Sequence, residues 1–282
     1  MAPRLGIVAG GGPLPGQLVA ACRRTGREAF VLALEGFTDP ANLVDVPHEW
    51  VRLGAAGKAI AALHRAGVEE VVLAGPVRRP TLADLRPDLR AMRFLARGVL
   101  NRGDDGLLRA IVRVLEDEEG FRVIGAGDVA GDLLPAPGLL GRHAPDDEAR
   151  QDVRLGVAVV RAVGRLDIGQ AAVVQQGLVL GIEAAEGTAR LLARCGELRR
   201  PGRGGVLVKL AKPGQERRAD LPTVGADTAT QAAAAGLAGI AIGAGGTQVL
   251  QRERLVASAD EAGLFVWAFD PAEFPEVDGQ GR

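Results

Sequence analysis

The chain has 282 residues, of which 47% are hydrophobic and 24% charged, and its formal net charge is −1. At roughly 100–200 residues per domain, this length predicts two domains with ordinary cores. The near-neutral balance excludes the basic field of a nucleic-acid binder, and no block of like charges forms an interaction tail.

The first half alternates strand and helix patterns. Leu5–Ala9 reads as a short buried strand, Gly10–Pro15 as a turn and Gly16–Thr25 as a helix. A second strand follows at Ala29–Leu34 and a third near Trp50–Leu53, then a helix over Ala55–Ala66 that ends at Gly67. Glu70–Ala74 is a strong strand stopped by Gly75-Pro76. Helical patterns cover Leu89–Leu100 and Asp104–Glu119, split by Asn101-Arg-Gly103, and Phe121–Ile124 is the last strand. Strands spaced by helices predict parallel βαβ units. Leu133–Asp146 is rich in Pro and Gly and reads as a linker, with the boundary near residue 135. The expected architecture is α/β: a Rossmann-like parallel sheet in residues 1–135, a mixed α/β domain in 136–282, and a ligand crevice between them.

The second half opens on a helix over Asp147–Gly164. Ala171–Val174 and Leu178–Ile182 flank Gln-Gln-Gly as a hairpin. Helices are expected at Gly187–Cys195, Thr228–Ala235 and Arg252–Ala262, and strands at Val206–Lys209, Gly239–Ile242 and Leu264–Ala268. The polar tail beyond Pro271 is expected to fray.

Cys22 and Cys195 are far apart, and without CxxC or Cys/His spacing they predict neither a disulfide framework nor a zinc site. A reducing cytoplasmic setting fits. Leu5–Ala9 is too short for a signal-peptide core, and no stretch reaches the length of a membrane span. His48, His64 and His143 share no metal spacing and are read as non-catalytic; no nucleophile-elbow pattern occurs.

Several segments carry residues suited to phosphate chemistry. Gly10-Gly-Gly12-Pro-Leu-Pro15 joins a strand to a helix, where backbone N–H groups receive anions; it is equally a tight turn with Pro15 at a helix start. The dinucleotide fingerprint matches in part, since Pro15 holds the third glycine position, and no Walker Lys-Ser/Thr pair follows. Lys58, at a strand-to-helix junction, suits either a phosphate or a solvated helix surface. Arg79 follows the carboxyl end of a strong strand, the end that faces ligand crevices in open α/β sheets, and suits either a phosphate or an exposed basic loop. Asp104 and Asp105 form a carboxylate pair suited to Mg²⁺, or to capping a helix with Asp104 as the cap. Glu186 and Thr188 cap a helix or present an acid and a hydroxyl to phosphate or metal. The stretch Lys209 to Gly225 concentrates Lys209, Lys212, Gln215, Asp220 and Thr223 around short turns, in a chain with lysine at only one other position. Asp220 is either a turn residue beside proline or a group that holds a metal or orients water.

Taken in order, these motifs resemble the LpxI-type UDP-2,3-diacylglucosamine pyrophosphatases over residues 4–270. They are Gly6–Pro15, Gly57-Lys58, Ala74–Pro80, Gly103–Asp105, Gly164–Gln170, Glu183–Thr188, Lys209–Gln215 and Asp220–Gly225. The resemblance implies hydrolysis of UDP-2,3-diacylglucosamine to UMP and 2,3-diacylglucosamine 1-phosphate (lipid X) in lipid A biosynthesis, with Mg²⁺. It also implies a homodimer and lipid held between domains. The lipid substrate would be met by transient contact with the inner-membrane surface from the cytoplasmic side. The family's essential aspartate falls on Asp220, as a Mg²⁺ ligand or water-orienting group, with Asp104, Asp105 or Glu186 as second acids. Lys209, Lys212 and Arg79 would neutralise phosphate oxygens. Gly10, Gly11, Gly12, Lys58, Glu186, Thr188, Gln215 and Thr223 would bind substrate. Where family members carry aspartate after the Glu-Gly-Thr turn, this chain has Ala189. Two other readings stand beside this one. One is a nicotinamide-dependent oxidoreductase, with Glu35 placed for a ribose contact. The other is a non-catalytic binder of the nucleotide-sugar lipid.

Overall fold

The computed structural model describes residues 2–78, 85–96 and 103–275, with Asp104 described by its backbone alone. The chain forms two units: residues 1–131 with 216–220, and residues 132–215 with 221–282.

In the first unit, β1 (Leu5–Ala9), β2 (Ala29–Leu34), β3 (His48–Val51), β4 (Glu70–Ala74) and β5 (Arg122–Val123) form one parallel sheet in the order β3-β2-β1-β4-β5. Central β1 pairs along its full length, Leu5–Ala9 with Ala29–Ala33 on one side and with Glu70–Ala74 on the other. Such strands are covered on both faces, which is why they read as unbroken apolar runs. The helices are α1 (Leu14–Thr25), α2 (Ala56–Arg65), α3 (Leu89–Leu95), α4 (Asp104–Arg113) and the single turn α5 (Ala126–Val129).

Several expectations differ from the structure: the first helix starts at Leu14, before Gly16, and the last strand is Arg122–Val123, shorter than Phe121–Ile124. The third strand starts earlier than Trp50, because His48–Val51 is the stretch registered on Val31–Leu34. The helix expected over Asp104–Glu119 is α-helical only to Arg113, then widens to a π-turn over Val114–Glu118. Gly103, not Asp104, is the capping residue of α4, and Asp104 is its first helical residue. The helix expected to Leu100 is described to Leu95, and its remaining residues from 97 lie outside the described residues.

In the second unit, β6 (Gly138–Leu139), β7 (Ala171–Gln175), β8 (Leu178–Ile182), β9 (Val206–Lys209), β11 (Gly239–Gly243) and β13 (Phe265–Phe269) form a mixed sheet ordered β6-β13-β11-β9-β7-β8. β9, β11 and β13 are parallel; β7, β8 and β6 run antiparallel to their neighbours. The β7–β8 hairpin turns through Gln176 (φ 52°) and Gly177 (φ 71°), the left-handed pair that matches strand twist. β10 (Thr223–Val224) and β12 (Gln248–Val249) make a separate parallel pair.

One face of this sheet packs on α6 (Asp147–Arg165) through Val153, Val157 and Val160. The other packs on α7 (Thr188–Glu197), α8 (Ala226–Ala234) and α9 (Arg252–Glu261), through Leu191, Leu192, Cys195, Ala229, Ala232, Leu255 and Ala259. Asp146 starts α6 by accepting the Ala149 N–H (3.0 Å). The fold is therefore α/β in both units, a parallel sheet in the first and a mixed one in the second. No described helix is long and apolar enough to cross a membrane.

Candidate functional site

Strand order reverses direction in the first unit between β1 and β4, and ligands of open α/β sheets bind outside the carboxyl ends at such a point. The turns after these two strands are locked together. Gly10 N–H donates to Ala74 O (2.7 Å) and Gly11 N–H to Pro76 O (2.9 Å). A Cβ on Gly75 would lie 2.1 Å from Gly11 O, and Gly75 has φ 89°, so only glycine fits there. Two of the three glycine amides are thus committed within the protein. Gly12 N–H has no partner among the described residues, while its carbonyl accepts from Asn42 Nδ2 (3.0 Å). Pro13 and Pro15 bring no N–H to the start of α1. Thr38, buried, ties the end of β1 to the exit of β2 by donating to Ala9 O and accepting from Leu34 N–H.

Lys58 lies early in α2, largely exposed, and donates to Trp50 O (3.0 Å) with Glu49 3.7 Å away. Glu35 is exposed just beyond β2. Arg79 lies outside the described residues.

Asp105 has a defined task. Its Oδ1 accepts the Glu216 N–H (2.9 Å), and its Oδ2 pairs with Arg109 (2.5 Å). It thereby holds the returning segment 216–220 on the first unit. Within that segment, Arg218 binds Glu216 (2.9 and 3.0 Å) and Glu116 (2.7 Å), and Ala219 packs on the apolar core. The Arg218 guanidinium pulls the Glu216 carboxyl below its ordinary pKa, and Glu216 in turn raises that of Arg218. Ala219 and Asp220 both donate their N–H groups to Glu216 O (3.0 Å). Asp220, half-buried, is thus the last residue of an anchored turn.

In the second unit, three separate sequence motifs meet at the carboxyl end of β9. Lys209 ends that strand with 4% exposure, and its Nζ donates to Thr188 Oγ1 (2.8 Å) and to Thr223 O (3.1 Å). Thr188 Oγ1 donates in turn to Glu183 Oε1 (2.5 Å), and Glu183 is also buried. One hydroxyl therefore bridges a buried ammonium and a buried carboxylate, which meets the need of buried charges for partners. Lys212 pairs with Asp167 (2.5 Å), and its backbone N–H donates to Gln215 Oε1 (3.0 Å). A Cβ on Gly169 would meet Glu183 O at 1.9 Å, so the Gly164–Gln170 loop lies directly on the Glu183 turn. Gln248 is the register partner of Thr223 and is buried, as is neighbouring Thr247.

Glu186 does not share this cluster's bonds. It accepts the Ala184 N–H (3.1 Å) and pairs with Arg194 (2.7 Å); its own backbone N–H first, then Arg194, lowers its pKa. Gly187, with φ 78°, is the capping residue of α7, so Thr188 is released from capping to serve Lys209. Glu183, Asp167 and Gln170 belong to the Glu183–Thr188 and Gly164–Gln170 motifs, and they engage Thr188, Lys212 and Gln215 (3.5 Å to Gln170) respectively. The signal for Glu183 is its place just after an apolar strand, where a carboxylate is folded inward.

Among the described residues, no group of three or more His, Cys, Asp or Glu gathers as a metal cage. Mg²⁺ commonly takes one or two carboxylates with substrate phosphates and water, and such a site asks for fewer protein ligands. Asp105 fits that task poorly, since both its oxygens are engaged. Cys22 and Cys195 are free and buried, and burial raises both thiol pKa values. His64 stacks on Phe121 with ring centroids 4.6 Å apart.

Comparison with known proteins supplies the family context. Residues 4–133 match the family model of the LpxI N-terminal domain, and residues 136–267 that of the LpxI C-terminal domain. The UDP-2,3-diacylglucosamine pyrophosphatase LpxI of Caulobacter vibrioides is 44% identical over 280 residues, covering 96% of this chain and 99% of that protein. Among solved structures, glycinamide-RNase-transformylase T from Mycobacterium tuberculosis aligns with 15% identity and a TM-score of 0.24. That match covers 64% of this chain and 44% of the other.

Proposed function

The chain belongs to the LpxI family, and on that premise we propose that it hydrolyses the pyrophosphate bond of UDP-2,3-diacylglucosamine. The products would be UMP and 2,3-diacylglucosamine 1-phosphate, within lipid A biosynthesis. The observation that carries this reading is 44% identity across 96% of the chain to a pyrophosphatase of that name. The cluster around Lys209 supports it with chemistry suited to a polyanion.

In this reading, water adds to one phosphorus, the bridging P–O bond breaks, and the departing phosphate keeps the bridging oxygen. The step needs an oriented water and neutralised charge. Asp220 orients the water or holds Mg²⁺, with Asp104 as second acid; Asp105 acts by anchoring the segment that carries Asp220. When bound, Mg²⁺ would polarise phosphate oxygens as a Lewis acid. Lys209, Lys212 and Arg79 neutralise phosphate oxygens, and Thr188 with Glu183 sets the direction of the Lys209 ammonium. Gly12 offers its amide to substrate; Gly10 and Gly11 shape the turn. Thr223, Gln215 and Lys58 complete the proposed substrate contacts, and Glu186 braces its turn through Arg194. Homodimerisation is part of the same proposal and is checked by sedimentation velocity.

The test is incubation with UDP-2,3-diacylglucosamine, with and without Mg²⁺, while UMP release is followed. Wild type should release UMP only with the metal, and Asp220→Ala should fold normally yet lose at least about a hundredfold in turnover. Substrate binding without UMP release by the wild-type protein would reduce the chain to a binder. Near-native turnover of the variant would remove Asp220 from the chemistry.

A further inference from the structure

The short helix α3 shows an unusual outer face. Leu89 is 77% exposed and Met92 54%, and Arg86 and Arg93 lie exposed beside them. Leu89, Met92 and Arg93 fall at i, i+3 and i+4, so they share one side of the helix. Ala91 is buried, and α3 packs on α2, so that side is turned outward by the packing.

This orientation is fixed at the helix start. Asp88 caps α3 by accepting the Ala91 N–H (2.8 Å), and its other oxygen accepts the Gly57 N–H of α2 (2.7 Å). Asp88 N–H donates to Gly54 O (2.9 Å). A Cβ on Gly54 would meet Leu85 O at 1.7 Å, so the approach depends on glycine. The exposed face is therefore held by the fold and is no frayed end.

Its charge is one-sided. Arg90 pairs with Glu119, but Arg86 and Arg93 form no ion pair among the described residues. Of the described carboxylates beside it, Asp88 is engaged by two backbone amides and Glu119 by Arg90. Residues 76–103 contain seven arginines and two aspartates in a chain whose net charge is −1. Exposed Leu and Met side chains flanked by arginines suit a surface that is both apolar and anionic.

We propose that the outer face of α3, made by Arg86, Leu89, Met92 and Arg93, docks on an anionic lipid bilayer. The arginines contact phosphate headgroups while Leu89 and Met92 enter the acyl boundary. Seven residues span only about 10 Å at 1.5 Å each, so the helix lies on the membrane and does not cross it. The start of α2 lies at the same carboxyl end of the sheet as the Gly10–Gly12 turn. The proposal rests on the hydrolase reading only for its purpose, delivery of a diacylated substrate; the docking itself stands on these residues.

The test is flotation of the full-length protein with phosphatidylethanolamine–phosphatidylglycerol vesicles and, separately, with phosphatidylcholine vesicles. Wild type should float with the anionic vesicles and not with the zwitterionic ones, and salt should release it. Each arginine near an anionic surface contributes about fivefold in partitioning, so Arg86→Gln/Arg93→Gln should weaken it about thirtyfold. Leu89→Ser/Met92→Ser should weaken it about tenfold or more, by loss of apolar insertion. Both variants should keep wild-type UMP release from substrate dispersed in detergent, a readout that tests the hydrolase reading by itself. Failure of wild type to float with anionic vesicles, or unchanged flotation of either variant, would overturn the proposal. So would variants that lose self-association while still floating, which would assign this face to a second copy of the chain.

Discussion

Replacing Thr188 by valine keeps the side-chain volume and removes the hydroxyl that joins Lys209 to Glu183. The distances are 2.8 Å from Lys209 Nζ to Thr188 Oγ1 and 2.5 Å from Thr188 Oγ1 to Glu183 Oε1, with both charged residues buried. Each lost contact is a hydrogen bond to an ionised group, typically about 1.5–3 kcal/mol, and leaves a desolvated charge short of a partner. Lys209 retains Thr223 O at 3.1 Å, which softens the ammonium's loss. Thr188→Val should therefore destabilise the second unit by about 3 kcal/mol. Thr188→Ser keeps the hydroxyl and should cost under about 1 kcal/mol, the worth of one methyl group. Trp50 lies in the first unit and Trp267 in the second, so urea unfolding in a Trp50→Phe background reads the second unit through Trp267 alone. A Thr188→Val midpoint indistinguishable from wild type, or a Thr188→Ser loss as large as that of valine, would refute the bridging role.

Further consequences concern the first unit. Gly75→Ala should destabilise it by about 2–3 kcal/mol, because the new Cβ meets Gly11 O in a left-handed backbone; Gly120→Ala, also left-handed but in open space, should cost only about 1 kcal/mol, by thermal denaturation. Asp105→Ala should lower kcat while the Mg²⁺ concentration for half-maximal activity stays unchanged, since the carboxylate holds Glu216 N–H; a large rise in that concentration would instead make Asp105 a ligand. Glu216 has its folded pKa lowered by Arg218, so its stabilisation is complete above the ordinary carboxylate value of 4.5 and is lost as pH falls through the lower folded value. Acid titration of Glu216→Gln should lack that limb of the unfolding curve; an unaltered acid limb would show that the Arg218 pair does not form in solution.

Much of the scaffold is legible along the chain. Leu5–Ala9, Ala29–Leu34 and Glu70–Ala74 are apolar runs closed by glycine or polar turns, and their bounds in the structure are the expected ones. The two-residue strands β6, β10 and β12 are not legible, because two residues show no period and each exists only through its partner. Asp104 looks like a helix cap by type, yet Gly103 takes that position because backbone geometry decides a cap. The candidacy of Lys209 and Lys212 is visible from their rarity in a lysine-poor chain. Their partners are not: Thr188 lies 21 residues from Lys209 and Asp167 lies 45 from Lys212.

Local chemistry by itself thus determined the alternating α/β order, the glycine turns and the residue types available for phosphate, since these depend on neighbours within a few positions. Tertiary structure alone decided that Glu216–Asp220 joins the first unit, that Asp105 anchors it across 111 residues, and that Thr188 links two buried charges. The physical reason is that a buried charge is stable only beside its partners, and strand pairing and packing, which no local pattern encodes, choose which distant groups those are.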